Sequence, residues 1–156
     1  MIASPLCIAD RPGHRARTLR RTCPIQRLRG GEQHHFFGYY NKSAWDRTGR
    51  YLLGNEVAMM DAPLTPDLRA NVGYFDLKDG EIFHAIDTTT AWNWQMGCQL
   101  QWLDGEPGRK LIYNTRTDDM SARYPGFGAN VFDIDSGKKT AFSMPVHVCA
   151  PDSRYA

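Results

Sequence analysis

The stretch YFDLKDG, residues Tyr74–Gly80, returns 57 positions later as VFDIDSG, residues Val131–Gly137. Each copy runs from an apolar strand pattern into a short turn that ends in glycine, which is a signal of a β-hairpin. The hairpin strands are predicted at Val72–Leu77 with Glu81–Ile86, and at Asn130–Ile134 with Lys138–Phe142. Two equivalent hairpins at a fixed distance indicate that the chain is built from a repeat.

The similarity extends upstream of both hairpins. Trp45 and Trp102 are also 57 positions apart. Asn55 and Asn114 are 59 positions apart, because the turn that separates the tryptophan from the asparagine is two residues longer in the second unit. Further strands are predicted at Phe36–Asn41, Arg50–Val57, Gln95–Trp102 and Arg109–Arg116. Four strands per unit, with the hairpin third and fourth, is typical of a β-propeller blade. We therefore predict an all-β fold, a partial β-propeller with two four-stranded antiparallel blades and the start of a third.

The predicted blades cover residues 33–87 and 91–143, and a third unit begins at residues 146–156. Its first strand is predicted at Val146–Cys149. Propellers close with about four to eight blades, so two blades leave unpaired edges. We expect the chain to be the N-terminal part of a longer protein, or its edges to be covered by self-association.

Residues 1–32 form a basic arm with seven arginines between positions 11 and 29. The arm has no helical apolar stripe and no interleaved aromatic residues, so we predict disorder rather than a nucleic-acid or membrane partner. No apolar segment follows the Arg20-Arg21 pair, which leaves localisation and export of a longer parent open. The four cysteines lack zinc-finger spacing, and no metal or other cofactor is predicted.

The antiparallel strand order places the chemically active side chains on one rim of the predicted propeller. They are His34, His35, Asn55, Trp92, Trp94, Gln95, Asn114 and Arg116. Each has a structural alternative: packing for the histidines and tryptophans, and repeat-wide turn chemistry for the asparagines. Arg116 differs because its counterpart in the first unit is Val57, although Asp118 or Asp119 can simply pair with it.

Three motifs resemble the first blades of bacterial β-propeller polysaccharide lyases. They are HHFFGYYNKSAWDRTGRYLL, WNWQMGCQLQW and KLIYNTR, which begin at His34, Trp92 and Lys110. The nearest group is the ulvan-lyase-like propellers, and oligogalacturonate lyases and TolB-type propellers are more distant. The resemblance covers roughly residues 33–156.

The resemblance implies β-elimination of an acidic, uronate-containing polysaccharide or oligosaccharide. His35 or His34 is then the catalytic histidine, and Arg116 neutralises the uronate carboxylate. Implied substrate-binding residues are Asn55, Trp92, Trp94, Gln95, Asn114 and Tyr113. The acid can be Tyr113, Tyr124 or Tyr39, and Asn55 stands where the family has a second histidine. We expect no turnover from this chain alone; the alternative is a non-catalytic module that binds a glycan or protein partner on the same rim.

Overall fold

The computed structural model describes Leu28 and residues 32–60, 63–103 and 109–156. In these ranges every regular element is a β-strand, which confirms the all-β prediction. The basic arm predicted at residues 1–32 lies almost entirely outside the described residues.

Eight strands form two antiparallel four-stranded sheets within the described ranges. The first sheet contains β1 (His34–Phe36), β2 (Tyr51–Val57), β3 (Ala70–Asp76) and β4 (Phe83–Thr89). The second contains β5 (Gln101–Trp102), β6 (Lys110–Arg116), β7 (Phe127–Asp133) and β8 (Lys139–Phe142). In both sheets the strands lie side by side in sequence order. The two predicted four-stranded antiparallel sheets are thus confirmed.

The opening strand of each unit is much shorter than predicted. The strand predicted at Phe36–Asn41 ends at Phe36, before Gly38, whose φ is 136°. A Cβ at Gly38 would lie 2.7 Å from the carbonyl oxygen of Met96, so only glycine fits this contact between the two units. The strand predicted at Gln95–Trp102 keeps only its last two residues. The predicted strand Val146–Cys149 is not a strand, although Val146 is buried.

One backbone hydrogen bond recurs at the start of all three units. It runs from Asp46 N to Tyr51 O (3.1 Å), from Leu103 N to Lys110 O (2.9 Å), and from Ala150 N to Tyr155 O (2.8 Å). In the third unit Ser153 adopts a φ of 57°, where Gly49 has 70° in the first. The segment after Val146 therefore repeats the turn of the first unit without forming its strands.

A repeated ion pair ties the start of the second strand of each unit to the end of the third. Arg50 Nε lies 2.9 Å from Asp76 Oδ1, and Arg109 Nε lies 3.4 Å from Asp133 Oδ2. Arg50 contacts both carboxylate oxygens of Asp76. The hydrogen bonds of Arg50 hold the pKa of Asp76 below its ordinary value, and backbone N–H groups such as that of Ser136 do the same for the pKa of Asp133.

Acid is expected to destabilise the fold through these carboxylates. A carboxylate whose pKa is depressed on folding stabilises the protein above its unfolded pKa of about 4, and this contribution is lost as the pH falls through the folded pKa. The urea midpoint should therefore drop between about pH 6 and about pH 3. Asp76→Asn should lower the urea midpoint at about pH 6 and make the midpoint depend less on pH. If the midpoint falls equally with pH in the variant and in the parent, Asp76 is not a source of the acid sensitivity.

The two sheets share one hydrophobic core. The first sheet contributes Leu53, Val57, Ala70 and Val72; the second contributes Trp102, Leu111 and Tyr113, and the connection between the sheets adds Trp92, Cys98 and Leu100. Alternate residues of β2 and β6 face this core, as expected for strands covered on one face by another sheet.

A polar cluster crosses the same interface at Asp87 of β4. Its Oδ2 accepts hydrogen bonds from the hydroxyl of Tyr113 (2.5 Å), from Lys139 Nζ (3.0 Å) and from Asn130 Nδ2 (3.3 Å), all in the second sheet. Burial and the bond to Asp87 both raise the pKa of Tyr113. Burial alone would raise the pKa of Asp87, but hydrogen bonds, chiefly from Tyr113, outweigh it and lower that pKa. We call these four residues the Asp87 cluster.

Asn55 and Asn114, which occupy equivalent positions in the two units, each bind a segment at the start of a unit. Asn55 is fully buried; its Nδ2 donates to the carbonyl of Phe37 (2.7 Å) and its Oδ1 accepts from the thiol of Cys98 (3.1 Å). Asn114 donates to the carbonyl of Val146 (2.9 Å) and accepts from its N–H (2.7 Å). Burial raises the pKa of the Cys98 thiol to about 12, so this thiol stays protonated. The asparagines hold neighbouring units together.

Candidate functional site

A groove of about 300 Å³ lies where the end of β6 meets the connection between the sheets. Its lining includes Trp92, Asn93, Gln99, Asn114, Arg116 and Phe127. We call it the Arg116 groove. It brings together three of the nine predicted site residues: Trp92, Asn114 and Arg116.

Arg116 is the exposed last residue of β6 and lies directly opposite Phe127 on β7. The central carbon of its guanidinium is 3.8 Å from the centre of the Phe127 ring, within the range of a cation–π interaction. Among the described residues no carboxylate forms an ion pair with Arg116. Asp119, a partner considered from sequence, instead accepts hydrogen bonds from Ser121 (2.9 Å) and Ala122 (3.1 Å).

The rest of the lining is neutral. Alongside Arg116 and Phe127 it consists of Thr, Ala, Trp, Met, Gly and amide side chains, with no acidic residue and no histidine or tyrosine. The amides are partly engaged: Asn93 Oδ1 accepts from Met96 N (2.7 Å), and Gln99 Oε1 accepts from Lys42 Nζ (2.7 Å). Arg116 thus gives the groove a positive charge that no acidic lining residue offsets.

His35 lies elsewhere. Its Nε2 is 3.0 Å from Glu56 Oε2, and its ring packs edge-on against Phe75 and Phe83 at centroid distances of 5.2 and 4.9 Å. None of these four residues belongs to the core shared by the sheets, so His35 occupies the opposite face of the first sheet. The structure does not bring His35 into the Arg116 groove. The neighbouring His34 is exposed and pairs with Val57.

The other predicted site residues have structural surroundings. Asn55 and Tyr113 have no exposed surface, so no ligand reaches them in this structure. Trp94 is half-buried against Phe36, at a ring-centroid distance of 5.5 Å, and against Trp92, at 4.9 Å. Gln95 is exposed and does not line the groove. Trp92 belongs to the core and donates from Nε1 to the carbonyl of Leu68 (2.8 Å).

Sequence reasoning missed Asn93, Gln99 and Phe127. Phe127 was missed because β7 begins three residues before the strand predicted at Asn130–Ile134, and only this longer strand places an aromatic ring opposite Arg116. The YPGF stretch before it carried a signal, since an aromatic residue after a glycine turn is a common strand start.

The described part of the chain holds no group of three or more His, Cys, Asp or Glu side chains able to bind a metal ion. It also contains no helix with the length and hydrophobicity needed to cross a bilayer. No protein-family model, curated protein or solved structure matches the chain. The resemblance to polysaccharide-lyase propellers therefore stays a prediction.

Proposed function

We propose that the two sheets are consecutive blades of a β-propeller and that the Arg116 groove binds an acidic oligosaccharide. Three features support the propeller: side-by-side strands in sequence order, a core shared face to face, and the same turn at the start of a third unit. A propeller blade has this strand order and packs on its neighbours in this way.

The observation that carries the binding proposal is the Arg116 guanidinium, which lines a groove without acidic residues. A guanidinium that stacks on a ring keeps its N–H donors in its own plane, where they can grip a carboxylate with two parallel hydrogen bonds. The exposed amide of Asn93 is suited to sugar hydroxyl groups, whereas the amide of Asn114 is bound to the backbone of Val146. A uronate unit combines this carboxylate with these hydroxyls.

The residues that line the groove support a binding function rather than β-elimination. Elimination needs a base for the proton on C5 of the uronate and an acid for the leaving oxygen. The lining residues include no group suited to either role, and His35 lies on another face with its Nε2 at Glu56. We therefore propose a glycan-binding module.

The proposal predicts that Arg116→Ala weakens binding of galacturonate oligosaccharides or ulvan fragments about tenfold or more, because a charge-assisted hydrogen-bond pair is lost. Calorimetric titration of the full chain measures this, with Arg116→Lys keeping part of the affinity. Arg123→Ala is the matched control, since Arg123 is also exposed and near a ring, that of Tyr124 at 5.7 Å. Unchanged affinity in Arg116→Ala would exclude the Arg116 groove as the binding site of the oligosaccharide. Unsaturated-uronate absorbance in the same samples would reveal elimination.

A further inference from the structure

A second, smaller cavity lies where the starts of the three units meet. It is open to solvent and has a volume of about 170 Å³; its lining includes Asn41, Lys42 and Trp45 of the first unit, Gln101 and Trp102 of the second, and Cys149 of the third. We call it the Lys42 pocket. None of the sequence predictions concerned this pocket.

Lys42 is a half-buried cation with neutral partners. Its Nζ donates to Gln99 Oε1 at 2.7 Å and, more weakly, to Asn41 Oδ1 at 3.4 Å. An ammonium group has three N–H donors, so one has no protein partner among the described residues. No carboxylate in those residues pairs with it. Burial lowers the pKa of Lys42, and the interaction with Cys149 in the same pocket opposes this only in part.

The repeat does not account for this charge. The position of Lys42 is occupied by Gln99 in the second unit and by Val146 in the third, when the units are aligned on their shared turn bond. A neutral residue is thus compatible with the fold at this point. Arg116 interrupts the repeat in the same way.

We propose that the Lys42 pocket binds a small oxyanion: a carboxylate, sulfate or phosphate group. The ammonium supplies the charge and its remaining N–H donor, the amide of Asn41 supplies a second donor, and the rings of Trp45 and Trp102 form the walls. The pocket volume suits a free ion or the acidic end of a larger molecule, and not a polymer chain. This proposal does not depend on carboxylate binding by Arg116, although Gln99, the partner of Lys42, lines the Arg116 groove.

The test titrates the full chain with sodium acetate, sulfate and phosphate at constant ionic strength, with chloride as the balancing anion. Binding is followed by calorimetry and by intrinsic tryptophan fluorescence, to which Trp45 contributes; this residue is 46% exposed and lines the pocket. At least one oxyanion should bind saturably. Lys42→Met should weaken it about tenfold, as expected for loss of one charge-assisted hydrogen bond, and Lys42→Arg should retain most of the affinity.

Two controls separate this site from others. Lys138→Met removes an exposed lysine from the β7–β8 turn and should change nothing. Arg116→Ala should leave the part of the binding that depends on Lys42 intact. Asn41→Ala removes an exposed side chain and should weaken binding about threefold, which provides a second variant if Lys42→Met unfolds. The proposal is overturned if no oxyanion saturates, if Lys42→Met binds as the parent does, or if the binding is lost only in Arg116→Ala.

Discussion

Asn55→Leu is expected to lower the free energy of unfolding by about 3 kcal/mol, because it leaves buried polar groups without partners. The substitution keeps a similar volume but removes the donor to the Phe37 carbonyl and the acceptor of the Cys98 thiol. Asn55 has no exposed surface, so water cannot replace these bonds. Urea unfolding measures the change.

Gln95→Leu is the control for Asn55→Leu. Gln95 is exposed in the connection that Asn55 binds, and its substitution should change stability by no more than about 0.5 kcal/mol. If Asn55→Leu and Gln95→Leu lower the free energy of unfolding by the same amount, Asn55 does not hold the two units together. If the Asn55 loss is confirmed, the asparagine repeated at positions 55 and 114 has a structural origin in the repeat.

Asp87→Ala is expected to destabilise the protein by about 3 kcal/mol, because it removes the acceptor shared by the Asp87 cluster. The buried hydroxyl of Tyr113 would then lack its 2.5 Å partner. Tyr113→Phe removes that hydroxyl alone and should destabilise the protein less than Asp87→Ala does. The double variant should be more stable than the sum of the single losses predicts, since neither group is then left unpaired.

Asp118→Ala provides the surface control for the Asp87 cluster, because Asp118 is exposed in the loop after β6. The free energy of unfolding of Asp118→Ala should be within about 0.5 kcal/mol of that of the parent. Additive losses in Asp87→Ala and Tyr113→Phe would mean that the hydrogen bond between them contributes nothing across the interface.

The strands of the hairpins follow from the sequence because their signals are local. Alternating apolar residues and a glycine turn specify β3–β4 and β7–β8, and the glycines at 80 and 137 both adopt positive φ. The short β1 and β5 do not follow in the same way. Gly38 leaves the strand because it contacts the Met96 carbonyl, and a contact between units nearly sixty residues apart has no local signal.

Within the candidate site, Arg116 was the sharpest prediction from sequence, because it interrupts the repeat. Arg116 stands where the first unit has Val57, and the structure places it in a groove. The same comparison would have selected Lys42, whose equivalent is Gln99. The sequence did not show that His35 lies outside the Arg116 groove, because the direction of its side chain relative to β6 depends on how the two sheets pack. Pairing with Glu56 puts His35 on the face away from the shared core.

The central claim is that Arg116 recognises a carboxylate on a sugar. The most direct measurement compares a galacturonate oligosaccharide with the same oligosaccharide after its carboxyl groups have been reduced to alcohols. The chain should bind the acidic form at least about tenfold more tightly, and Arg116→Ala should abolish the difference. Equal affinity for the two forms, or a preference that persists in Arg116→Ala, would contradict the proposed role of the groove.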